Sequence, residues 1–204
     1  MTLSQALDPL YRSYLRRLDE MAARLPEGTA LLEATTRGDD GKLVPGKDGL
    51  PLRFDVADAR SGETFEVRGA RPDAPAAAEV QLERLAVRLA GGNWEALPLV
   101  CAFDGEPLAE DAEALADLVR SWAFFAAYGG FAHGMPARGA PGGDGWQGKL
   151  HSVAIELHDN ELRVLLDLGT CPPLGVEALC AALAAFGDDR QPLAHVTVGG
   201  AAPA

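Results

Sequence analysis

Between Lys149 and Leu168 the chain alternates apolar and polar residues on both sides of an Asp159-Asn160 pair. A period of two marks a strand, and a two-residue Asx turn joins two strands as a hairpin with φ > 0 in the turn. The register follows. Leu157 faces Leu162, Ile155 faces Val164 and Val153 faces Leu166, with all six side chains on one face. The other face pairs Glu156 with Arg163, His158 with Glu161, Ala154 with Leu165 and Ser152 with Asp167. A slip of one residue would turn the six apolar side chains to solvent, so the pairing is strongly specified.

Other segments carry the helical period. Leu10, Tyr14, Leu18, Met21 and Leu25 predict a helix from Asp8, with Pro9 at its first position, to Leu25. Thr29 to Thr36 reads as a strand. Arg37 to Leu50, with its glycines and charges, reads as a mobile loop. Leu52, Phe54 and Val56 alternate against Arg53 and Asp55, and Phe65 and Val67 against Glu66 and Arg68, which predicts a second hairpin. Pro72 to Pro75 reads as a linker. Ala78, Leu82, Leu85 and Leu89 predict a helix over Ala76 to Ala90, stopped by Gly91-Gly92.

Trp94 to Phe103 reads as a strand, Leu108 to Tyr128 as a long helix, Leu174 to Phe186 as a helix and Leu193 to Val198 as a last strand. The order from Trp94 is therefore β-α-β-β-α-β. That predicts an α+β chain whose C-terminal part, 93–204, is a ferredoxin-like antiparallel sheet with both helices on one face. Residues 1–92 form an N-terminal α-βββ-α segment, with the open sheet face of the second half as its packing surface if it does not fold apart. Leu165, Ala154, Val100 and Ala102 line the sheet's other face, which is too apolar to stand bare; the N-terminal half, a second copy of the chain or a partner is expected to cover it. In this order the strands of His158 and His195 lie at opposite edges.

Composition adds little to the fold and more to the choice of partner. The chain is 204 residues long, 48% hydrophobic and 24% charged, as globular domains are. Its Ala, Gly, Leu and Arg bias suggests a GC-rich bacterial genome. There is no apolar run of membrane length and no leader pattern at the N-terminus, so the expected location is the cytoplasm. The net charge of −12 is uneven: residues 1–92 hold 13 Lys/Arg against 15 Asp/Glu, and residues 93–204 hold 5 against 15. An acidic half repels phosphate backbones and argues against nucleic acid.

Candidate chemistry is sparse. Cys101, Cys171 and Cys180 have no CxxC spacing, and only Cys171, ahead of Pro172-Pro173, reads as reachable. His151 near Cys171 is the one conceivable nucleophile-base pair, and nothing basic in sequence lowers that thiol's pKa. The four histidines make no metal set, and Gly143 to Gly148 matches GxGxxG without the strand-turn-helix context that a dinucleotide site needs. No catalytic residue, metal or cofactor is assigned. Two candidate sites remain. Glu106, Glu110, Glu113 and Asp117 fall on one stripe of the long helix, as a docking surface for a basic protein. The Gly-rich connection 129–148 brings His133, Arg138 and Trp146, which could line a small-molecule site. The leading expectation is a non-enzymatic protein-binding module of inhibitor or immunity type, able to homodimerise; the alternative is a small-molecule-binding protein or enzyme.

Overall fold

The computed structural model describes residues 1–69, 78–132 and 148–200. The protein is mixed α+β, with three helices and two sheets among the described residues. Helix α1 (Leu3–Ala22) is followed by β1 (Ala30–Thr35), β2 (Arg53–Asp58) and β3 (Thr64–Phe65), which form a three-stranded sheet in that order. Next come β4 (Ala78–Leu82), β5 (Leu85–Leu89), β6 (Leu97–Phe103), α2 (Ala109–Ala127), β7 (Ser152–His158), β8 (Glu161–Asp167), α3 (Pro173–Asp189) and β9 (Leu193–Val198). The second sheet has six strands in the order β4-β5-β9-β6-β8-β7. All neighbours are antiparallel except β5 and β9, which run parallel.

Helix α1 begins earlier than the proline suggests. Thr2 caps it through its hydroxyl on the Gln5 amide, and the Gln5 side chain accepts from the Thr2 amide, a capping box worth about 1 kcal/mol. Pro9 therefore lies inside the helix. Leu3, Leu7, Leu10, Tyr14 and Leu18 form its buried stripe.

The 152–167 hairpin has the register its alternation demands, from Ser152 opposite Asp167 to His158 opposite Glu161. Only Asp159 has a positive φ, +40°. The Asp159-Asn160 pair predicts a type I′ turn, which needs two such residues, so the observed turn differs from the expected type.

The expected helix over 76–90 is replaced by a hairpin turning at Glu83 and Arg84, with φ +52° at Glu83. Its apolar residues satisfy both periods. Long-range pairing decides: β5 docks alongside β9, with Val87 opposite Val196 and both fully buried. Consequently β9 is interior to the sheet, and the edges are β4 and β7.

Leu97, Leu99, Cys101, Leu162, Val164, Leu166, Val196 and Val198 point to one face of this sheet and are buried beneath the helices. On the opposite face, Ala154, Glu156 and Leu165 are exposed while Val100 and Ala102 are partly so. Segment 37–51, expected to be loose, makes two tight bridged turns, with Arg37 opposite Leu43 and Pro45 opposite Pro51.

Candidate functional site

The three-stranded sheet meets the six-stranded one beside β7, and a cleft of about 790 Å³ lies along that junction. Its lining includes the 46–53 turn, Ser152 to Glu156, Arg120 of α2, and His151 and Asp167. The turn is held on β7 by Asp48, whose carboxylate accepts from the Leu50 amide on one oxygen (3.0 Å) and the Val153 amide on the other (2.9 Å). Arg53, almost fully buried, donates from Nη2 to the Ala127 carbonyl at the end of α2 (2.9 Å). A cation there also complements the helix dipole.

Behind the cleft, side chains from four elements and the end of β7 converge on one imidazole. His151 is 7% exposed. Its Nε2 lies 3.4 Å from Glu33 Oε1, and its Nδ1 lies 3.4 Å from Asp55 Oδ1 and 3.8 Å from Asp167 Oδ1. Tyr14 donates its hydroxyl to Asp55, which also accepts from the Val67 amide. The Thr170 amide donates to Glu33 (3.1 Å), and the Gly169 amide to Asp167 (3.2 Å). Glu33 adopts φ +51°, a strained conformation for a residue with a side chain, and its Oε2 is buried without a hydrogen-bond partner among the described residues.

Burial alone would depress the His151 pKa. The adjoining Glu33 carboxylate and the charges of Asp167 and Asp55 outweigh it and lift the pKa to about 9. His151 is therefore an imidazolium at neutral pH, held between carboxylates. Burial raises Asp167 to about 6 even though His151 pulls it down. Burial, then Asp55, pushes Tyr14 well above its ordinary value. The Nε2 of His151 is buried without a hydrogen-bond partner among the described residues, so the carboxylates hold it by charge, and a cation held in this way is a poor general base. Its clearest action is to tie β1 and β2 to the end of the larger sheet.

The carboxylates assigned to partner binding lie where the helical stripe places them. Glu110, Glu113 and Asp117 are exposed on α2, and Glu106 is exposed just before it. Arg120 bridges Glu113 (2.8 Å) and Asp117 (2.7 Å). The same exposed stripe continues into Phe124 (59% exposed) and Tyr128 (47%), 4.9 Å apart at their centroids, which alternation and charge did not single out. Helical spacing from Asp117 could have found them. Phe125, whose spacing from Leu115, Leu118 and Trp122 predicts the inner face of the helix, is instead 54% exposed.

His133, Arg138 and Trp146 lie outside the described residues, as does most of the Gly143–Gly148 motif. Cys171 is not reachable: it is fully buried, its Sγ meets the Pro172 carbonyl at 3.9 Å, and burial and the Glu33 charge push its pKa up. The partner that the sequence offered His151 was Cys171; the structure gives it Glu33, Asp55 and Asp167 instead. Asp55 and Arg53, expected on an exposed face of β2, are buried. Among the described residues no group of His, Cys, Asp and Glu is arranged to hold a metal ion, and no helix is long and apolar enough to cross a membrane.

No known protein family matches the chain, and neither a curated protein nor a solved structure matches it.

Proposed function

We propose that this is a bacterial, cytoplasmic, non-enzymatic protein-binding module of inhibitor or immunity type, which docks a basic partner through α2. The observation that carries the reading is the composite stripe on that helix. Glu106, Glu110, Glu113 and Asp117 set four exposed carboxylates against the one guanidinium of Arg120, and the exposed rings of Phe124 and Tyr128 follow directly along the same face. Carboxylates steer a basic partner by long-range attraction, whereas aromatic rings supply desolvated contact area once it arrives. Neither half needs a catalytic group. The ferredoxin-like reading of 93–204 belongs to the same proposal. It is supported by the order β9-β6-β8-β7 with every pair antiparallel, which a split βαβ unit requires.

Affinity capture from the source lysate tests it, using the wild-type chain, a Glu110→Lys/Glu113→Lys/Asp117→Lys variant and a Phe124→Ser/Tyr128→Ser variant. The expected result is a partner that salt releases and that both variants lose. A partner retained by both variants, or none at low ionic strength, overturns the reading.

A further inference from the structure

The free edge of the larger sheet is chemically incomplete. In β7 the even-numbered residues face β8 in the bonded pairs of a two-residue hairpin, so the odd-numbered backbone groups point away from the sheet. The Val153 amide confirms the direction, because it donates outward to Asp48 Oδ2. Further along, the amides of Ile155 and Leu157 have no hydrogen-bond partner among the described residues.

Sheet edges are ordinarily protected by proline, bulges, inward-pointing charge or a covering element. Beyond Val153, β7 has none of these among the described residues: its register with β8 is unbroken from Ser152 to His158, and Leu157 is 54% exposed. The protection is confined to the near end, where the 46–53 turn sits. The cleft follows β7 from Ser152 to Glu156, so it reaches Ile155 and stops short of Leu157.

We propose that β7 accepts an extended segment of another protein as a seventh strand, and that this segment alternates apolar and basic side chains. Backbone pairing would satisfy the groups of Ile155 and Leu157, as strand addition does elsewhere. One set of its side chains would lie beside Ile155 and Leu157, where apolar residues fit. The other set would lie on the open face beside Glu156. There Arg163 stands opposite Glu156 and bonds Glu161 (3.2 Å), and His158 bonds Glu156 (3.2 Å), yet Glu156, Glu161 and Asp167 set three carboxylates against one guanidinium, so basic residues fit. Across the cleft, Arg120 is already neutralised by Glu113 and Asp117.

A second copy of the chain is the poorer occupant. It carries the same Glu156 and Asp159 and a net charge of −12. Antiparallel self-pairing centred on Ile155 would also bring the copy's Leu157 carbonyl to the Val153 amide that Asp48 holds. The proposal rests on the edge of β7 and is independent of the α2 stripe.

The test uses synthetic capped peptides of about six residues, the usual strand length, one alternating Val with Lys and one alternating Val with Glu. Amide exchange of the full chain is followed with each peptide. The Val-Lys peptide is expected to slow exchange at Ile155 and Leu157 by about tenfold or more and to bind at least about tenfold tighter than the Val-Glu peptide at low salt. Leu157→Pro, which removes one outward amide at an edge position that tolerates proline, should abolish binding. Glu156→Lys, an exposed change, should reverse the preference between the peptides. Unchanged exchange at both amides, equal binding of both peptides, or slow exchange in a peptide-free dimer would each overturn the proposal.

Discussion

His151 Nε2 and Glu33 Oε1 lie 3.4 Å apart across the junction of the two sheets, one side chain from the entry to β7 and the other from the middle of β1. With Asp55 on β2 and Asp167 on β8, they join a helix-backed sheet to a small meander by charge as well as by apolar packing. One imidazolium serves three carboxylates, so the cluster has an excess of negative charge. Burial first, and then the charge of Asp55, makes Asp167 hold a proton more readily than an ordinary carboxyl, against the pull of His151.

Stability should therefore fall as pH rises, in two windows. His151 has a folded pKa of about 9 against about 6.5 unfolded, so its contribution is complete below 6.5 and disappears as pH passes 9. Asp167 is raised to about 6 from 3.8, so the fold also prefers its protonated form, and this contribution is lost between those values. In both windows the native state binds more protons than the unfolded state, which makes the slope of unfolding free energy against pH negative. Urea titrations across pH 6 to 10 should show a loss of a few kcal/mol in wild type and a flatter profile in His151→Gln. His151→Gln itself should cost about 3–5 kcal/mol at neutral pH, because the carboxylates stay buried without their cation.

Glu33 separates backbone strain from charge. At φ +51°, glycine relieves about 1 kcal/mol that alanine does not, so Glu33→Gly should be more stable than Glu33→Ala by about that amount. Both should be less stable than wild type. Glu33→Gln keeps the shape and removes the charge, and the His151 imidazole signals in an NMR titration should then move at lower pH than in wild type. An unchanged midpoint would mean that Asp55 and Asp167 alone hold the proton.

How far these features could be read from the chain depends on how local their causes are. The 152–167 register was legible because its two faces differ sharply and two residues separate the strands. The hairpin at 78–89 was not, since Ala78, Leu82, Leu85 and Leu89 suit a helix while Val80, Leu85, Val87 and Leu89 suit strands. The deciding contact, Val87 against Val196, comes from the far end of the chain. The exposed carboxylates of α2 followed from helical spacing. The His151 cluster did not, because Tyr14, Glu33, Asp55 and Asp167 each read as ordinary surface or core positions until the sheets meet. A charged residue between apolar neighbours, as at Leu32-Glu33-Ala34, was the available signal.

The thiols give a simple test of packing. Cys101, Cys171 and Cys180 are all free and fully buried, and burial raises each pKa, to about 12 for Cys180. In the native state none should react with a thiol reagent on the timescale of an exposed cysteine. All three should react once the chain is unfolded. Fast native labelling at Cys171 would show that the turn before α3 opens.

Trp94 is fully buried with its Nε1 lacking a hydrogen-bond partner among the described residues, and its ring lies 5.5 Å from that of Tyr11. An unsatisfied buried donor costs about 1–3 kcal/mol. Trp94→Phe removes that donor but also removes ring volume, and core cavities of this size cost a similar amount. The two effects oppose each other, so Trp94→Phe should change the unfolding free energy by less than about 1 kcal/mol. Trp94→Ala should cost about 3–5 kcal/mol, because it also empties the space beside Tyr11 and α1. Equilibrium denaturation of the two variants checks the pair; a large loss for Trp94→Phe would mean that the indole N–H is hydrogen-bonded after all, with an internal water the natural acceptor.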